Sequence, residues 1–253
     1  MISRRAAEKP LIRNQRSDKT ELKRTLENGE VSLQGQFLLG SNYTFLVKVT
    51  YGGREVQAVY KPRGGEQLLW DFPEASLAGR EVAAYLVCQA LGFDFVPLTI
   101  LRDGPFGPGS LQEYIDHNPN RHYFSFPPAD RQRLRPVALF DLLVNNADRK
   151  GGHILFQKRT RRLILIDHGL CFHTEDKLRT VVWDFAGEAI PADLISATAD
   201  FREHLRGSLA ATLQTYLSLE EIDALDARAG TLLADPSFPP PPEDRRAFPY
   251  PPL

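Results

Sequence analysis

Two short stretches constrain this chain more than anything else in it: Asn145-Asn146-Ala147-Asp148-Arg149-Lys150-Gly151-Gly152-His153 and Leu163-Ile164-Leu165-Ile166-Asp167-His168-Gly169. The first follows a helical period ending near Val144 and runs into the apolar Ile154-Leu155-Phe156. The second closes an apolar run with a lone acid and a glycine. The polar residues 157–162 between them read as the turn of a hairpin. Two strands joined there bring Asp148, His153 and Asp167 to one end. Taken alone, an Asp-Arg-Lys-Gly-Gly run is a solvated turn and an Ile-Asp-His-Gly end is a strand terminus. Together they hold what phosphoryl transfer needs: one carboxylate to orient an attacking hydroxyl, and a second, with a further ligand, to hold a divalent cation on nucleotide phosphates.

The preceding residues supply the remaining parts in order. Strand patterns cover 31–39, 44–51 and 55–60, the last two flanking Gly52-Gly53, a strong hairpin signal. Gly40, Ser41 and Asn42 form a short loop whose backbone amides could cover phosphate oxygens, or an ordinary turn. Lys61 ends the third strand, stopped by Pro62. A helix over 74–91 carries Glu81 beside its apolar face, placed to reach back to Lys61 as an ion pair that aims the lysine at phosphate. Strands at 97–102 and 110–115 follow, and the second is expected to run into a lobe connection where the backbone of Glu113, Tyr114 and Ile115 meets an adenine edge. A helical period over 129–144 delivers the chain to the Asp148 loop, and helices are expected over 191–204, 209–217 and 219–233.

The chain of 253 residues can hold one large domain or two lobes around one site. Its 31 basic and 32 acidic residues nearly cancel, so no global field recommends nucleic acid or a membrane surface as partner. Two unpaired-looking cysteines, Cys88 and Cys171, fit a reducing cytoplasm and neither a disulfide framework nor zinc. Nowhere does an apolar run approach a membrane span. Residues 1–16 are basic without an apolar period and read as a flexible arm, with an amphipathic helix starting near Asp18. Residues 236–253 are Pro-rich and read as an extended tail on the surface, or a disordered one.

The order Lys61, Glu81, Asp148 to His153 and Asp167-His168-Gly169 resembles the phosphatidylinositol 3- and 4-kinase-related branch of the protein-kinase-like fold. It resembles more closely a group of bacterial phosphatidylinositol-kinase-like proteins of about this length, in which the phrase Asn-Asn-Ala-Asp-Arg-Lys-Gly-Gly-His recurs. HipA-type and secretory-pathway kinases are more distant analogues. The resemblance implies a two-lobed α+β fold, with an N-lobe over 17–116 and a mostly helical C-lobe over 117–235. It implies an ATP- and divalent-metal-dependent kinase, with Lys61 on nucleotide phosphate, Asp148 acting with Lys150 on a hydroxyl acceptor, and Asp167 with His153 on Mg2+ or Mn2+. The acceptor, whether protein, small molecule or lipid headgroup, is not written in the sequence, and no basic membrane-facing cluster favours lipid. Two departures leave a nucleotide-binding pseudokinase, an adenylyl transferase and a partner-binding scaffold open. His153 stands where the general pattern has a metal-binding asparagine, and His168 replaces the phenylalanine of Asp-Phe-Gly. Imidazole suits Mn2+ better than Mg2+ and ligates only when neutral, which for an ordinary histidine fails below about pH 6.

Overall fold

A computed structural model describes residues 9–37 and 42–253. Its N-terminal part is a five-stranded antiparallel sheet. The chain runs α1 (Lys9–Asn28), β1 (Glu30–Phe37), β2 (Thr44–Tyr51), β3 (Arg54–Pro62), α2 (Leu77–Ala90), β4 (Thr99–Gly104) and β5 (Gly107–Glu113). Sheet order is β1-β2-β3-β5-β4. The helix α1 starts well before Asp18, so part of the expected basic arm is helical. The hairpin between β2 and β3 turns on Gly52 and Gly53, both at positive φ (55° and 81°), which side chains disfavour. Val47, Val49, Ala58 and Tyr60 point to one face and bury against Leu22 and Leu26 of α1, the period-2 and period-4 faces meeting as their spacing dictates. Each such aliphatic contributes roughly 1.5–3 kcal/mol on full burial.

Beyond β5 come α3 (Pro128–Arg131), α4 (Arg135–Val144), β6 (Ile154–Phe156), β7 (Leu163–Leu165), α5 (Ala192–His204), α6 (Ala210–Leu213) and α7 (Leu219–Ala234). A single helix over 129–144 is not what forms. Pro136 sits in the first turn of α4, and without an amide proton it cannot continue a helix from upstream, so a 3-10 turn over Gln132–Leu134 intervenes. The expected helix over 209–217 is likewise short. A wide turn over Leu205–Leu209 with a non-helical Gly207 bends the chain out of α5 into α6.

A second, larger core joins these helices to the buried face of α2 through Ala83, Ala84, Val87, Leu139, Phe140, Phe201 and Leu225. The side chain of Tyr85 on α2 packs against both cores. The Pro-rich tail lies extended along this part of the molecule, with Phe238 and Ala247 buried. Both cysteines are buried and free. Among the described residues no helix is long and apolar enough to cross a membrane.

Candidate active site

The helix α2 presents Glu81 because its N-terminus is pinned from outside. The carboxylate of Glu66 accepts from the amides of Leu77 (3.0 Å) and Ala78 (2.8 Å), an acid satisfying orphan donors at the positive end of the helix dipole. One turn in, Arg80 is fully buried and donates to Cys171 O and to Glu221 at the start of α7. Glu81 is thereby held facing Lys61 of β3, and the two form a close ion pair.

Lys61 is shared. Its Nζ also donates to Asp167 Oδ1 at 3.0 Å. Burial alone would lower the lysine pKa, but the charges of Asp167 and Glu81 outweigh it and hold the ammonium well above its usual range. Burial would raise Glu81, yet Lys61 brings it down to about 2. Asp167 follows the same sign: burial pushes up, Lys61 and then His153 pull it well below the carboxylate range, an effect that solvent screens because the side chain is 47% exposed. The second oxygen of Glu81 accepts from the amide of His168 at 2.9 Å, so α2 grips the Asp167 turn through its backbone.

The hairpin predicted from sequence forms as β6 and β7, with Ile154 opposite Leu165. It sets His153 Nε2 3.3 Å from Asp167 Oδ2. Asp167 has φ of 61°, a left-handed conformation that costs a non-glycine residue free energy and clusters at functional sites. Burial pulls the His153 pKa down to about 4, so the ring is neutral at pH 6, contrary to the expectation for an ordinary histidine. An ionised carboxylate beside a neutral imidazole is a donor pair that fits a divalent cation. Among the described residues no group of three metal-binding side chains occurs, so a cation here would complete its shell with phosphate and water oxygens, as Mg2+ commonly does.

The loop carrying Asp148 begins at Asn145, the left-handed cap of α4 (φ 52°). Its side chain donates to His173 O and Glu175 O and accepts from the Lys177 amide. Asparagine suits both demands, tolerating αL and replacing a backbone turn. Asn146 Oδ1 accepts from the Asp148 amide at 2.9 Å. Asp148 then meets Lys150 Nζ at 3.0 Å. Burial raises the Asp148 carboxyl to about 6 against the opposing pull of Lys150, which is the range a general base at neutral pH requires. A Cβ on Gly151 would come within 2.8 Å of the exposed Phe124 ring, which would have to shift to admit it. Its amide donates to Pro252 O of the tail at 2.8 Å.

Two residues of the site were given no role by the sequence reading. Asp141 and Arg149 are both fully buried, and Arg149 Nε lies 3.1 Å from each Asp141 oxygen. Arg149 Nη1 donates to Ile166 O at 2.8 Å, while Thr180 and Asn146 also donate to Asp141. This pair ties the Asp148 loop to the residue before Asp167. A lone acid between Phe140 and Leu142 in an apolar helix was its signal, because a buried charge demands a partner. His168, noted from sequence in place of a phenylalanine, is buried edge-on to Phe140 and lies 3.7 Å from Glu81, beyond hydrogen-bond length.

The remaining nominated residues are placed differently. Gly40 and Ser41 lie outside the described residues. Asn42 turns its carboxamide oxygen to the Gln67 amide at 2.7 Å. Glu113 and Tyr114 already donate their amides to Leu98 O and Gln57 O, so those two N–H groups are not open to a nucleobase. Ile115 buries against Leu155 and Ile164 of the hairpin, linking the sheet to the β6-β7 end of the site.

Comparison with known proteins places this geometry in context. No family model matches the chain. It is 32% identical over 153 residues to phosphatidylinositol 4-kinase gamma 4 of Oryza sativa subsp. japonica, covering 51% of this chain but only 27% of the plant protein. The Helicobacter pylori proinflammatory kinase CtkA superposes with a TM-score of 0.49 at 12% identity, over 83% of this chain and 93% of that one. HipA of Shewanella oneidensis MR-1, solved with HipB and operator DNA, gives 0.42 at 13% identity, over 85% and 69%. Protein Rv2133c of Mycobacterium tuberculosis strain H37Rv is 41% identical over 261 aligned positions, covering 89% of this chain and 93% of its own length. The chain belongs to the family of that mycobacterial protein.

Proposed function

We propose that this protein is a two-lobed, kinase-like phosphotransferase that binds ATP with Mg2+ or Mn2+ and passes the γ-phosphoryl group to a hydroxyl. The observation that carries this is Lys61, held by Glu81 and paired at 3.0 Å with Asp167, whose charge in turn acts on Asp148. A permanently cationic lysine aimed by a buried glutamate binds phosphate oxygens, and the nucleotide would take over the contact now made with Asp167. Asp167 and His153 would hold the divalent cation, which when bound neutralises charge on the phosphates. Asp148 orients the acceptor hydroxyl. The hydroxyl oxygen forms the new bond to the γ-phosphorus, the bond from that phosphorus to the β,γ-bridging oxygen breaks, ADP leaves and the hydroxyl proton passes to Asp148. Lys150 steadies the Asp148 carboxylate between turnovers. The rice relative is by name a phosphatidylinositol kinase, which keeps a lipid headgroup among the candidate acceptors beside proteins and small polyols.

The test is ATP consumption with each acceptor class, inositol lipid vesicles, serine-bearing proteins and small polyols, compared between wild type and Asp148→Ala. Acceptor-stimulated ADP formation lost in the variant supports the reading. Nucleotide binding with no turnover on any class would leave a pseudokinase instead.

A further inference from the structure

At the root of the catalytic loop lies a cavity of about 440 Å3 that involves none of Lys61, Asp148 or Asp167, within the size range of small-molecule sites. One wall is α7 with Ala227, Arg228 and Thr231; another is Trp183; Pro239, Pro240 and Pro242 of the tail close a third, with Arg245 beside them. We propose that this cavity binds a small organic anion, a planar apolar body bearing one acidic group, with the acid held by Arg228 and Arg245 and the body between Trp183 and the prolines.

The charge balance of the walls asks for such a ligand. Arg228 Nε donates to Leu143 O at 2.7 Å and Nη1 to His173 O at 3.3 Å, while Nη2 is buried without a partner. No carboxylate among the described residues forms an ion pair with it. Burial lowers its pKa to about 10 against the charges of Asp176 and Glu221, so it keeps its charge at neutral pH, and a poorly solvated cation with no carboxylate in contact is costly. Arg245 is matched by Asp176 at 2.6 Å and by Leu178 O, which leaves the walls one positive charge in excess. The apolar surfaces are pre-set. Proline rings lose little freedom on contact, and an indole face stacks on planar groups. The cavity also touches the loop that carries Asp148, because Asn145 lines it and Leu143 O is bonded to Arg228. An occupant would therefore press on the residues that launch the loop.

The proposal does not depend on the phosphotransferase reading, and binding is measured directly. In a Trp70→Phe background, whose replaced indole is 92% exposed, emission comes from Trp183 alone. Benzoate and phenyl phosphate should each give a saturable change in that emission, and neutral benzamide none. Loss of a charge-assisted contact in Arg228→Gln should weaken binding at least about tenfold. Ala227→Phe fills the cavity without touching the Arg228 bonds and should weaken it as much. If Arg228→Gln does not fold, Arg245→Gln and Ala227→Phe decide. Equal binding of benzamide, no saturation with either acid, or unchanged binding in Ala227→Phe would overturn the proposal.

Discussion

Removing Asp141 exposes how the site is supported. Asp141 and Arg149 are both 0% exposed, and the carboxylate accepts from Arg149 Nε at 3.1 Å to each oxygen, from Thr180 Oγ1 at 3.2 Å and from Asn146 Nδ2 at 3.3 Å. In Asp141→Ala the guanidinium keeps only its bond to Ile166 O and becomes a buried charge without a partner. Breaking a buried pair from one side costs about 3–5 kcal/mol, a large share of the ~5–15 kcal/mol that holds a domain together. Asp141→Asn keeps one acceptor oxygen and should lose about 2 kcal/mol, the worth of a charged hydrogen bond. In the double variant Asp141→Leu, Arg149→Met no charge is stranded, and stability should exceed that of Asp141→Ala while staying below wild type, because Thr180 and Asn146 lose their acceptor at about 1–3 kcal/mol each. Turnover should not recover, because the tie from the Asp148 loop to Ile166 is gone. Urea unfolding of the four proteins, with ATP turnover in parallel, reads both effects. A cost below about 1 kcal/mol for Asp141→Ala would refute the claim that this pair is the support of the loop.

Other outcomes follow from the same geometry. Lys61→Ala and Glu81→Ala should each weaken ATP binding by calorimetry, with the double variant little worse than the poorer single one, since either loss undoes the same ion pair; fully additive losses would separate them. Because the Asp148 carboxyl titrates near 6, it is protonated and cannot accept a proton below that pH, so kcat/KM should rise with pH through about 6 and level off above it. A flat profile from pH 5 to 8 would remove Asp148 from the base role. Nucleotide with Mg2+ or Mn2+ at a hundredfold excess over its dissociation constant should stabilise wild type by about 2.7 kcal/mol. Asp167→Asn should lose most of that thermal shift, and if it keeps the whole shift the cation is held elsewhere.

What could be read in advance was whatever lay close in sequence. His153 and Asp167 meet because a hairpin with a polar turn pairs its apolar flanks, and β6 and β7 pair that way. Lys61 with Glu81 was legible because a strand end and the next helix are neighbours in chain order. The Asp141 and Arg149 pair was not, because both sit among residues whose apolar period and turn composition have their own sufficient explanations. The partners of the Glu113 and Tyr114 amides were not legible for a related reason. Sequence locates a strand end, but which amides the neighbouring Gln57 and Leu98 carbonyls consume is a matter of register. The tail reads as extended from its prolines, while its docking rests on a few contacts, Ala247 O with the Thr180 amide and Pro252 O with the Gly151 amide, that composition cannot show.

The most direct measurement is the fate of the ATP phosphorus atoms. Protein, an acceptor identified by the ATP-consumption comparison and Mg2+ or Mn2+ are incubated with ATP labelled at the γ-phosphorus in one reaction and at the α-phosphorus in another. The account predicts that γ-label, and no α-label, appears on the acceptor, and that Asp148→Ala transfers neither while still binding nucleotide. Transfer of α-label would mark adenylyl transfer, and γ-transfer by Asp148→Ala at the wild-type rate would contradict the assignment of the site.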